Sequence, residues 1–233
     1  MFNSKHTVLI TGTNRGLGLE FTKQYAADGW QVIACCRAPK TAAALSALAK
    51  AYPDNLIIYA LDVADFAQID ALAERLKDKK IDILLNNAGI YPDSSLDTIN
   101  YEGWAQAFKI NTMAPYKMVE AFIQNVTKSE LKKIVVLSSK MGSLSDNTSG
   151  GSYIYRTSKA ATNMMMKSLS LDLKAQGIAC GIFHPGWVQT DMGGPNGLIN
   201  TQQSVVGLRQ VITELNVNNC GRFIAYDGKE IAW

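Results

Sequence analysis

The chain has 233 residues, 47% of them apolar, and a formal net charge of +3, which fits one α/β domain with a sizeable core and no second domain. The charge is mild and the lysines (Lys77, Lys79, Lys80, Lys132, Lys133) are scattered at element ends beside acidic residues, so they read as solvated surface and not as a nucleic-acid footprint. No apolar run approaches the roughly 20 residues that span a membrane.

Met1-Phe2-Asn3-Ser4-Lys5-His6 carries no signal-peptide pattern and leads into an apolar strand over 7–11 that ends at Gly12. A helix is expected over 15–28, closed by Gly29, then a second strand over 31–36. An Ala/Leu-rich helix over 39–51 stops at Pro53, and a third strand follows over 56–61. Asp65 is a plausible N-cap for a helix reaching about 77, before a fourth strand over 81–85. One long helix is expected over 101–125, a fifth strand over 133–138, a second long helix over 152–175 and a sixth strand over 178–183. A loop rich in Gly, Pro and Asn spans 185–200, a helix 202–214 and a last strand 222–226.

Strands that are continuous apolar runs, alternating with helices, predict a parallel sheet buried on both faces, doubly wound through right-handed crossovers. Ligands of such sheets bind outside the carboxyl ends of the strands. Cys35 and Cys36 adjoin in one predicted strand and Cys180 lies in another, so they read as reduced core thiols of a cytoplasmic protein. No His/Cys cluster has metal-ligand spacing, and the two histidines, His6 and His184, lie far apart.

The chemistry-bearing residues cluster at those strand ends. Gly12, Gly16 and Gly18 make a strand-to-helix turn, where backbone can approach a pyrophosphate and a helix N-terminus offers free N–H groups. The second strand ends Cys35-Cys36-Arg37, with no acid to accept from a ribose 2′-hydroxyl, and Arg15 and Arg37 are candidates to meet a 2′-phosphate. Tyr155 is followed four residues later by Lys159, a spacing that shares one helix face. An ammonium there favours the phenolate and lowers the tyrosine pKa from its reference of about 10. Tyr153 lacks this partner, because Thr157 stands four residues on. Ser138 and Ser139 point to opposite faces if both are extended.

The ordered set Gly12-x-x-x-Gly16-x-Gly18, Asn86-Asn87-Ala88-Gly89, Asn111, Ser139, Tyr155, Lys159 and Pro185-Gly186-Trp187-Val188-Gln189-Thr190 resembles the short-chain dehydrogenase/reductase (SDR) superfamily, over nearly the whole chain. The stretch from Phe183 to Gly194 is most similar to its C-factor and sniffer-like carbonyl reductase branch. The resemblance implies a Rossmann fold with strand order 3-2-1-4-5-6-7 and a single domain over 1–233 that binds NADPH in preference to NADH. It implies reduction of a small-molecule aldehyde or ketone. Tyr155 is the implied general acid. Lys159 assists it and holds the nicotinamide ribose hydroxyls, the second serine, Ser139, donates to the carbonyl oxygen, and Asn111 supports a water in a proton relay. The implied cofactor residues are Gly12, Asn14, Arg15, Gly16, Leu17, Gly18, Arg37, Asp62 and Val63 (at the adenine), Asn87, Ala88, Gly89, Tyr155 and Lys159. Pro185, Gly186, Val188 and Thr190 complete them, Thr190 at the carboxamide and Pro185-Gly186 passing close to the ring. Asn86 and Asn87 are equally candidates to cap and brace the sheet.

Met141, Tyr153, Trp187 and Met192 flank the catalytic set and predict an apolar substrate site, with Tyr91 a further candidate. The short segment between Thr190 and Ser204 predicts an open site for a small or loosely selected carbonyl compound. The run Met164-Met165-Met166 reads as core or helix interface. In many relatives the two long helices form a homodimer or homotetramer interface, while some carbonyl reductases are monomers. The alternative function is a cofactor-binding regulatory or signalling protein of C-factor type, in which turnover is incidental.

Overall fold

In the computed structural model, residues 6–233 are described; residues 1–5, on which the expectation of no leader largely rests, lie outside them. One sheet carries seven parallel strands in the order β3-β2-β1-β4-β5-β6-β7. They are β1 (Thr7–Thr11), β2 (Gln31–Cys36), β3 (Leu56–Ala60), β4 (Ile83–Asn86), β5 (Lys133–Leu137), β6 (Ala179–His184) and β7 (Phe223–Ala225). Successive side chains of β1 show why the strands are apolar throughout. Leu9 faces one core layer with α3 (Phe66–Arg75), α5 (Ala114–Thr127) and α6 (Tyr153–Asp172). Val8 and Ile10 face the other, with α1 (Gly16–Ala27), α2 (Ala43–Ala51) and α7 (Thr201–Glu214). A strand covered on both faces has no polar side to show.

Side-chain caps set several helix starts. Asp65 accepts from the Ala67 and Gln68 N–H groups at α3, as expected, and Asn200 and Gln203 close a reciprocal capping box on α7. Near the middle the expectation of one long helix fails. The chain forms α4 (Tyr101–Phe108), a π-turn over Lys109–Met113, and then α5. Pro115 supplies the physical reason. It has no N–H to give the Asn111 carbonyl one turn earlier, and that carbonyl accepts instead from Thr162 Oγ1 at 2.8 Å. The expected helix over 39–51 also divides, into a 3₁₀ turn (Pro39–Thr41) and α2, because Ala42 leaves the helical region.

Lys133 corrects the reading of the lysines as solvated surface. It is buried at the start of β5, and its Nζ donates to the Ile212 and Thr213 carbonyls at 2.8 Å each, closing the C-terminal end of α7. Burial pushes its pKa down. The methionine run is split by helix periodicity: Met166 is fully buried, whereas Met164 is exposed. All four cysteines are free thiols, three of them buried. Among the described residues no helix is long and apolar enough to cross a membrane, and no group of three or more His, Cys, Asp or Glu is placed to hold a metal ion.

Candidate functional site

A cleft of about 820 Å³ crosses the carboxyl ends of β1 to β6. At one end lies the glycine turn. The Gly12 and Thr13 N–H groups donate to the Cys35 carbonyl at 2.8 and 3.1 Å, tying the turn to β2. Asn87 braces it from β4: its Nδ2 donates to the Thr11 and Gly12 carbonyls at 2.8 and 3.0 Å. Thr11 Oγ1 in turn accepts from the Asn87 and Ala88 N–H groups. Glycine is required here by space. A Cβ on Gly18 would lie 2.1 Å from the Gly12 oxygen, and one on Gly12, where φ is +72°, 2.9 Å from Ala88 Cα. Asn86, by contrast, is buried with both side-chain amide atoms unpartnered by the described residues.

Helix α1 begins directly after this turn, and its N-cap residue, Arg15, makes no side-chain cap bond. The first-turn N–H groups are therefore left for an anion, and a nucleotide pyrophosphate suits them. Asn14, Arg15, Gly16, Leu17, Arg37, Asp62, Val63, Ala88 and Gly89 all line the cleft. Arg15 has a partner the sequence reading missed. Its guanidinium donates to Asp191 at 2.8 Å, joining the glycine turn to the loop after β6, with both side chains largely exposed. No local pattern points to a pair 176 positions apart.

At the other end stand Tyr155 and Lys159, one turn apart on α6 and nearly buried, at 7% and 6% exposure. Ser139, at the end of β5, is also buried and accepts from the Met141 N–H at 3.2 Å. Ser138 makes a short hydrogen bond with Asn163 on α6. Ser138 lines the cleft, whereas Ser139 and Asn111 do not; Ser139 is nonetheless near enough to Tyr155 to oppose the upward shift of its pKa.

The electrostatics correct the expectation of an acidified phenol. Burial pushes the Tyr155 pKa up to about 12, with Ser139 opposing and Tyr91 adding to the rise. Burial likewise pushes Lys159 down to about 8. The Lys159 Nζ is turned to the Leu137 carbonyl at 2.9 Å and sits 5.7 Å from the centre of the Tyr155 ring. Each buried group loses hydration of its charged form, and that loss is the largest cause of both shifts.

Asn111 sits in the π-turn, almost fully buried. Its Oδ1 accepts from the Ile90 N–H, and its Nδ2 donates to the Ile90 carbonyl and to Ser158 Oγ, all near 3 Å. Two of these bonds fix Ile90 and the third ties Asn111 to α6, and a Cβ on Gly89 would lie 3.7 Å from the Lys159 Nζ. π-turns within helices recur at functional sites.

Pro185, Thr190 and Met192 line the cleft, but Gly186 and Val188 do not. Gly186 serves a different close approach from the expected passage by the nicotinamide: a Cβ there would meet Ile199 and Tyr226 at 2.8 and 2.9 Å. Val188 is buried and pairs with Ile199 in a short bridge. Met141, Tyr153 and Trp187 also lie outside the lining, and the Trp187 indole N–H donates to the Gly193 carbonyl. His184, at the end of β6, accepts from the Lys140 N–H at 3.2 Å, and burial lowers its pKa to about 4.

The short chain dehydrogenase family model matches residues 6–198. The chain belongs to that family. It is 42% identical over 154 residues to the C-signal of Myxococcus xanthus, a match covering 66% of this chain and 93% of that protein. Among solved structures it resembles the carbonyl reductase Sniffer of D. melanogaster, with TM-score 0.93 and 35% identity over 98% of this chain and all of that one. It also resembles an NADPH-bound carbonyl reductase from chicken fatty liver, with TM-score 0.92 and 36% identity over 98% of this chain and 99% of that one. As a family member the chain is an oxidoreductase by descent, on the fold the sequence pattern implied.

Proposed function

We propose that this protein is an NADPH-dependent carbonyl reductase. The observation that carries the reading is one cleft with an anion-ready glycine turn at one end and the buried Tyr155 and Lys159 pair at the other. The carbonyl reductases it resembles, one of them NADPH-bound, support it.

The residues present fit a nicotinamide dinucleotide. Gly12, Asn14, Gly16, Leu17 and the N-terminus of α1 would hold the pyrophosphate, because the free first-turn N–H groups face the cleft they line. Arg15 and Arg37 would meet the 2′-phosphate, and Asp62 and Val63 the adenine. Asn87, Ala88 and Gly89 would line the adenosine half, Thr190 would meet the carboxamide, and Lys159 would hold the ribose hydroxyls. The bound nicotinamide supplies the hydride. Tyr155 supplies the proton to the substrate oxygen, and a phenol whose pKa is raised to about 12 keeps that proton at neutral pH. Ser139 donates to the same oxygen, where negative charge develops. Asn111 keeps the Ile90 backbone in place. Lys159 lowers the phenol pKa only when its charge faces the phenolic oxygen and not the Leu137 carbonyl.

Four unpaired cysteines support a reducing, cytoplasmic setting. Half-exposed Met113 and Tyr116, on the π-turn and α5, beside Met165 on α6, support a dimer through the long helices. The likeness to C-signal favours a second reading, a regulatory role in which turnover is incidental. Following NADPH and NADH oxidation across aldehydes, ketones, diketones and quinones separates them. We expect turnover with at least one class and a preference for NADPH of roughly 10–10³-fold. Binding of NADPH with no turnover across the panel would leave the regulatory reading standing.

A further inference from the structure

A half-exposed aromatic ring lies against the proton donor. The rings of Tyr91 and Tyr155 have centroids 4.4 Å apart at an interplanar angle of 53°. Tyr91 comes just after the Asn86–Gly89 motif and is 38% exposed, so it is not a core side chain that happens to touch α6. Its hydroxyl shares a 2.7 Å hydrogen bond with Ser152 Oγ.

Ser152 is an unusual anchor. It immediately precedes α6 with left-handed φ of 47°, following two left-handed glycines, Gly150 and Gly151. A non-glycine residue is strained in that conformation, so its neighbours must hold it. They do so from two sides. On one, the Ser152 N–H donates to the Ser94 carbonyl and the Ile154 N–H to Ser94 Oγ, both at 3.1 Å. On the other, Arg156 Nε donates to the Gly150 and Gly151 carbonyls. The 91–94 segment therefore grips the entry to α6 one turn before the catalytic tyrosine.

We propose that Tyr91 is a positioning residue for the proton donor: its ring fixes the face of Tyr155, and its hydroxyl, on Ser152, fixes the helix start that carries Tyr155. The proposal rests on the reductase reading and adds a residue to it. Ser94 alone would set the helix start; the ring contact makes Tyr91 bear on the Tyr155 side chain itself. By covering the phenol the ring also adds to the burial that keeps it protonated, and a charge on Tyr91 would push in the same direction. Tyr91→Ala removes cover and hold together, while Tyr91→Phe keeps the ring and loses only the Ser152 bond.

The test combines steady-state NADPH oxidation, NADPH affinity by fluorescence, and ultraviolet titration of the tyrosinates. Tyr155→Phe identifies the Tyr155 step in the titration. We expect Tyr91→Ala to lower kcat by about 10²-fold, the size of effect that follows a misplaced catalytic group, with NADPH affinity unchanged. The Tyr155 titration should move to lower pH, and Tyr91→Phe should recover most of the lost rate. A rise in KM alone would make Tyr91 a substrate wall, and an equal fall in NADPH affinity would make it general scaffolding; either overturns the proposal. So does an unmoved Tyr155 titration, which is readable without any turnover. The reductase reading fails on a different result, full activity in Tyr155→Phe.

Discussion

The two ends of the cleft are built from different material. The glycine end is made of backbone, contributed by β1, the turn after it and the first residues of α1, and braced by the Asn87 and Thr11 side chains. The proton-donating end is made of side chains, those of Asn111, Ser139, Tyr155 and Lys159, all packed out of water. A backbone cradle is sensitive to an added Cβ and indifferent to titration. A buried side-chain site has the opposite sensitivities, since its pKa values are set by desolvation.

The sharpest way to break the comparison is Tyr155→Phe. It removes only a phenolic oxygen, so NADPH affinity at the backbone end should hold while turnover falls by roughly 10²–10⁴-fold. Near-normal rates would show that the proton comes from elsewhere.

Lys159→Met tests the same end through stability. With a folded pKa of about 8 against 10.5, burying the ammonium destabilises the fold fully below pH 8. Between pH 8 and 10.5 the unfolded chain binds the extra proton, so stability rises with pH, and above 10.5 the penalty is gone. At about 1.36 kcal/mol per pKa unit the relief at pH 7 is roughly 3 kcal/mol, less about 1 for the abandoned Leu137 carbonyl. Urea unfolding at pH 7 and pH 11 should show a variant that is inactive yet more stable at the lower pH and not at the higher. Equal stabilities at pH 7 would place the lysine charge in water.

Gly18→Ala probes the backbone end. The added Cβ would meet the Gly12 oxygen at 2.1 Å and Asn87 Nδ2 at 2.6 Å. Overpacking of this kind costs about 1–3 kcal/mol, and the displaced turn should weaken NADPH binding while the Tyr155 titration stays in place. A shifted Tyr155 titration would show the two ends to be mechanically coupled.

The smallest effect is expected from Asp191→Asn. Breaking the exposed Arg15–Asp191 pair frees Arg15 for a 2′-phosphate. Exposed pairs contribute little, so NADPH affinity should rise by only about twofold to fivefold, with NADH unaffected. An equal gain for both cofactors would show that Asp191 repels the pyrophosphate and not that it competes for Arg15.

Legibility in the sequence follows the same division. The alternation of apolar runs with helices, the glycine turn, the missing acid after Cys36 and the Tyr155/Lys159 spacing are local features, written in neighbouring residues. Each was readable because β-strands and helix faces have fixed periods and because only glycine fits the Gly12 and Gly18 positions. Three things depended on what the folded chain brings near. Pro115 breaks the long helix into a π-turn because Thr162, on another helix, can take the carbonyl that Pro115 cannot serve. Lys133, one lysine among several in the sequence, is buried because the end of α7 lands on it. The protonation of the Tyr155 and Lys159 pair was decided by depth: spacing along a helix puts two groups on one face, but only the surrounding layers determine how much water each has lost, and that loss sets which form of each group survives at neutral pH.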